Sequence, residues 1–143
     1  KIAIAIASMW KKTLGADMTL TNKEWKVYLE SRDQKDYQVA RAGWIADYKD
    51  PENFLALCKT GTGNNYAEYS SPEYDDLMAK AAAATDGGER MKLLSQAEAI
   101  GVARDLCVVP LLYYSYHNLV SDKVKGFEEN VMDVHPTRYL SKE

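Results

Sequence analysis

Residues 40–54, ARAGWIADYKDPENF, decide how this chain is read. With the preceding DYQV they alternate as a strand does, Tyr37, Val39 and Arg41 to one side and Gln38, Ala40 and Ala42 to the other. The run places Arg41, Trp44 and Asp47 within seven residues and then turns on Asp50-Pro51. Two readings fit that spacing. In the first, Arg41 pairs internally with Asp47 or Asp36 and Trp44 joins the core; spacing alone favours this one. In the second, Asp47 at the strand's end, partly shielded by an aromatic ring, receives a ligand ammonium group. Arg41 would then take a carboxylate bidentately, so that the pair suits a zwitterion.

Upstream, IAIAIASMWKKTLG alternates on a period of two, yet Ile2, Ile6, Met9, Trp10 and Thr13 also follow a helical period. Its alanines favour a helix, with Lys11 and Lys12 in the last turn and Gly15 as the stop. ADMTLT, residues 16–21, reads as a short strand, and Asn22 as the cap of a helix through KEWKVYLES. Downstream of the turn, a short helix through Phe54, Leu55 and Leu57 runs into the Gly/Asn-rich loop KTGTGNN. Ser71 caps the next helix, with Pro72 in its first turn and Glu73, Asp75 and Asp76 at its positive end. TDGGE breaks it. A second helix over residues 89–104 aligns Met91, Leu94, Ala97 and Ile100 on one face. LCVVPLLYYSYHNLV, residues 106–120, is a long β-rich run that Pro110 marks as an edge or a break. From Ser121 onward there is little periodicity. The alternation implies an α/β fold, a sheet flanked by helices.

The 143 residues, 46% hydrophobic and 27% charged, describe a globular chain with room for a core. A net charge of -3 with scattered Lys and Arg argues against nucleic acid as a partner. The longest apolar runs fall far short of the roughly 20 residues that span a bilayer. The start at Lys1, without Met and inside an apolar element, is expected of a piece of a longer protein. Cys58 and Cys107 have no metal-site spacing; a disulfide and two buried thiols both remain open. GxSxG, GxGxxG, P-loop and HExxH motifs are absent, and His117 and His135 are too isolated to suggest a metal. No cofactor and no catalytic residue is expected. Asp47 and Asp50 can be imagined as a hydrolase's acid/base pair, but carboxylates three apart near a turn are common. Tyr113, Tyr114 and Tyr116 suit either a sheet surface or a ligand wall.

Taken in order, W-x-x-D-Y-x-D-P, N-N-x-x-x-Y-x-S-P, the helical pair and V-P-x-x-Y-Y make a specific set. The chain resembles the C-terminal part of a bacterial extracytoplasmic oligopeptide-binding protein, of the peptide/nickel-type solute-binding family that serves ABC importers. The resemblance implies a two-lobed periplasmic-binding-protein fold of type II, a ligand held by lobe closure, and delivery to a membrane permease. It implies a periplasmic location, or a lipoprotein anchored at the surface of a one-membrane bacterium. Residues 1–115 would form part of the second lobe, and residues 116–143 would return to a first lobe that this chain lacks. By the same resemblance Asp47 takes the peptide's α-ammonium group and Arg41 meets a carboxylate. Gly43, Trp44 and Ile45 lie along the extended peptide, Tyr114 faces it, and Asn64 and Asn65 belong to a nearby loop. Some relatives have Cys where this chain has Ile45, so a disulfide there is ruled out. The same scaffold could instead hold a dipeptide, a nickel chelate or a sugar.

Overall fold

A computed structural model describes all 143 residues, which divide into two units, Lys1–Gly43 and Trp44–Glu143. In the first, α1 spans Ile2–Leu14 and stops where Gly15 turns left-handed at φ 69. The C-cap N–H groups return to Lys11 and Trp10 carbonyls, and Lys11 and Lys12 sit in the last turn, where the dipole favours cations. The helix expected there forms. α2 spans Trp25–Asp33. Its cap is not Asn22, which lies outside the helix, but Glu24, whose carboxylate accepts from the N–H groups of Lys26 and Val27 at 2.9 and 3.4 Å. Trp25 and Tyr28 stack on one side of α2 at 5.4 Å, and the Tyr28 hydroxyl donates to the Arg41 carbonyl at 2.7 Å.

The second unit contains the core. α3, Glu52–Leu55, continues into a 3-10 turn over Ala56–Cys58. α4 covers Pro72–Ala83, with Ser71 accepting from the Tyr74 N–H at 3.3 Å, as its sequence signature requires. α5 covers Gly87–Glu98 and passes into a π-helical turn, Ala99–Arg104. It starts two residues earlier than expected because Asp86 is its cap, accepting from the Glu89 N–H at 2.7 Å. Tyr74, Met78 and Ala81 of α4 pack with Leu94 and Ala97 of α5, and Leu55 and Cys58 complete the buried set. Of the expected apolar face of α5, Leu94 and Ala97 are buried, whereas Met91 stays exposed.

Gly101 in the π-helical turn lets the Tyr74 ring approach, for a Cβ there would stand 2.5 Å from it. The Tyr74 hydroxyl donates to the Leu55 carbonyl at 2.6 Å, and burial raises its pKa. The cysteines form a disulfide, Cys58–Cys107, which ties the end of the α3 turn to the segment after α5 across a separation of 49 residues. A crosslink of that span stabilises a fold by about 2 to 4 kcal/mol. This decides the question the sequence left open.

Residues 16–21, 36–44 and 106–120 differ from expectation: none of them is a strand in this chain. The single sheet is small and lies in the tail, where β1, Val124–Lys125, pairs antiparallel with β2, Ser141–Lys142. Alternation prepares a segment for a half-buried ladder, but a ladder exists only where a neighbour supplies the opposite hydrogen bonds. The apolar side chains of residues 108–120 accordingly lie exposed, Tyr113 and Leu119 the most. The tail is fastened locally: Phe127 stacks on His135 at 3.9 Å, and Asp133 accepts from Asn118 at 2.7 Å and meets His135 at 2.9 Å. No helix is long and apolar enough to cross a membrane.

Candidate functional site

The site grows from the turn at Asp50-Pro51. Oδ1 of Asp50 accepts from the Glu52 N–H at 2.9 Å, which starts α3. Both its oxygens also receive the guanidinium of Arg90 on α5, at 2.8 and 2.9 Å. That bidentate pair lowers the Asp50 pKa and raises that of Arg90. Asp50 was expected only to turn the chain; it also fixes α3 to α5. With its oxygens so engaged, it is poorly suited to share acid/base work with Asp47.

α3 is thus held at its start by Asp50 and Arg90 and at its end by Tyr74 and the disulfide. Its inward face carries Leu55 and a buried polar residue, Asn53, which is 6% exposed. The Asn53 side chain engages Trp44 and Asp47. Its Oδ1 accepts from the indole N–H of Trp44 at 2.7 Å and from the backbone N–H of Asp47 at 3.2 Å. Its Nδ2 donates to Oδ2 of Asp47 at 3.3 Å. Only this orientation of the amide serves all three partners, since two are donors and one is an acceptor.

Trp44 is half-buried, and Asp47 and Ile45 are exposed. Asp47 therefore presents a solvent-accessible carboxylate whose Oδ2 is fixed from behind, a geometry that can accept a hydrogen bond from an ammonium group. Arg41 and Gly43 close the first unit, both exposed, with open space where a Cβ of Gly43 would stand. The other expected residues lie in the second unit. Tyr114 is exposed in residues 106–120. Asn65 is buried and turned into its own loop: Nδ2 donates to the carbonyls of Lys59 and Tyr69 at 3.1 and 2.7 Å, and Oδ1 accepts from the Tyr69 N–H at 3.1 Å. Asn64 Oδ1 accepts from the Tyr66 hydroxyl at 3.4 Å. The residues that sequence reasoning missed are Asn53 and Arg90. Asn53 lies six residues beyond Asp47 and looks like any polar helix residue, so no local signal marks it.

Comparison with known proteins finds likenesses over nearly the whole chain. Residues 1–66 match the family model of bacterial extracellular solute-binding proteins, family 5, middle region. That match covers a little under half of the chain. The chain is 42% identical over 127 residues to the periplasmic oligopeptide-binding protein OppA of Salmonella typhimurium, covering 89% of this chain and 23% of that protein. Its fold matches Haemophilus influenzae OppA, solved in complex with RPPGFSPFR, at a TM-score of 0.83 and 41% identity, over 99% of this chain and 28% of that one. The Escherichia coli murein tripeptide binding protein MppA matches at 0.85 and 35% identity, again over 99% and 28%. The chain thus spans about a quarter of the length of the relatives it matches, and its fold is that of an α/β piece of a periplasmic peptide-binding protein.

Proposed function

We propose that this chain is part of an extracytoplasmic receptor that binds oligopeptides and delivers them to the permease of an ABC importer. In this reading residues 1–115 belong to the second of two lobes and residues 116–143 return to the first. The observation that carries it is the Asp47 carboxylate, accessible to solvent and oriented by Asn53 beside Trp44. Similarity to OppA proteins supports a peptide as the ligand. The disulfide supports an oxidising compartment outside the cytoplasm. The exposed apolar residues 108–120 suit a segment that the rest of the two-lobed protein covers.

Asp47 accepts the peptide's α-ammonium group, Arg41 meets a peptide carboxylate, and the backbone at Gly43, Trp44 and Ile45 runs along the extended peptide, with Tyr114 as a wall. Asn65 and Asn64 shape the loop beside the site rather than grip the ligand, because the Asn65 amide is already satisfied within that loop. The test is calorimetry of peptide binding by the two-lobed protein and its Asp47→Asn variant. Loss of the charge partner of a buried amine should weaken binding by about 2 to 5 kcal/mol. Unchanged affinity overturns the anchor, and recovery of cleaved peptide would instead favour a hydrolase.

A further inference from the structure

The three hydrogen bonds of one buried amide point to a residue that acts on the ligand without touching it. We infer that Asn53 is the positioning residue of the ammonium site, clamping Trp44 and Asp47 into one rigid receptor for a primary amine. The inference rests on the Asp47 anchor proposed above.

An exposed aspartate on a turn ordinarily samples several rotamers, and binding an amine in one of them costs the entropy of the rest. Here the backbone N–H and the Oδ2 atom of Asp47 are held by opposite ends of the same amide, at 3.2 and 3.3 Å. Nδ2 engages Oδ2 alone of the two carboxylate oxygens, and Asp47 is exposed. The carboxylate is therefore aimed before a ligand arrives, with an oxygen left to accept. The indole N–H of Trp44, bound to Oδ1 of Asn53 at 2.7 Å, is fixed by the same amide, so ring and carboxylate keep a set separation. Asn53 is itself buried on a helix anchored by the Asp50–Arg90 pair, the Tyr74–Leu55 hydrogen bond and the disulfide. A serine or alanine at position 53 could not reach both groups at once. The specificity so built is for a free amine over a blocked one, since a neutral amide neither complements the carboxylate's charge nor offers its donors.

The experiment measures affinities of the two-lobed protein for a peptide with a free α-amine and for its N-acetyl analogue, from about pH 4 to about pH 8. Asp47→Asn, Asn53→Ala and Asn53→Asp are compared with the wild type, with melting temperature as the control for folding. Asn53→Ala is expected to lower the free-amine to acetyl preference by about 10- to 100-fold, the scale of one hydrogen bond to a charged group. Asn53→Asp keeps the two acceptor bonds to Trp44 and Asp47 but loses the donor and sets a second carboxylate beside the first. Its acid-side loss of amine binding should therefore move to higher pH, a shift that a purely structural role would not produce. This variant decides the matter where Asn53→Ala fails to fold. If Asp47→Asn abolishes the preference while both Asn53 variants leave preference and pH profile unchanged, the positioning role is overturned and the anchor stands. If Asp47→Asn leaves the preference intact, both fall.

Discussion

Asp50 shows how much one carboxylate can carry. It starts α3, binds Arg90 through both oxygens and so sets the helix from which Asn53 reaches Asp47. The hydrogen bond from Arg90 holds its carboxyl below the ordinary value. A depressed folded pKa means that the stabilisation is complete above the unfolded value of about 4 and is lost as the pH falls through the folded one. Asp50→Asn should therefore destabilise the protein at neutral pH and flatten its stability profile below about pH 4. Urea unfolding at several pH values measures this, and an unaltered acid slope would contradict it. Part of the slope will remain, because Arg104 and the Tyr69 hydroxyl hold the Asp105 carboxyl at about 2. Residues such as Asp50 and Asp47 attract notice in the sequence by their charge. Their uncharged and distant partners do not, since Asn53 and Arg90 acquire their roles only when α3 and α5 meet.

Among the elements, the pair α4 and α5 is the best specified. Ser71, Pro72 and the following acids start α4 by rules that act over one turn, and these were legible in advance. Their packing is less forgiving. The Tyr74 ring lies so close to Gly101 that Gly101→Ala would force a Cβ to within 2.5 Å of it. Alanine gains about 1 kcal/mol of helix propensity there, but overpacking typically costs about 1 to 3 kcal/mol and should prevail. A lower urea midpoint at unchanged slope is expected; a higher midpoint would show that the ring can move aside. The strand expectations fared differently. Residues 36–44 and 106–120 have the composition of strands, yet strand formation is a property of pairs, and neither finds a pair in this chain.

At the scale of the molecule, the chain covers 23% of the OppA protein it resembles at 42% identity. If the site closes between two lobes, these 143 residues alone supply part of the ligand's enclosure. The isolated chain should then bind peptide at least about 100-fold more weakly than the two-lobed protein, because ordering a flexible peptide requires contacts on both sides. Equal affinities by calorimetry would contradict the two-lobed reading.

The sequence by itself determined the helices, whose starts and stops depend on neighbours within four residues, and the ordered motifs that carry the likeness to oligopeptide-binding proteins. It also made Asp47 conspicuous. Only the tertiary structure decided that Cys58 joins Cys107 and that Asn53 stands behind Asp47. The physical reason is range. Caps and helical faces are written in local spacing, whereas a disulfide, a buried amide or a paired strand needs partners that the fold alone brings within about 3 Å.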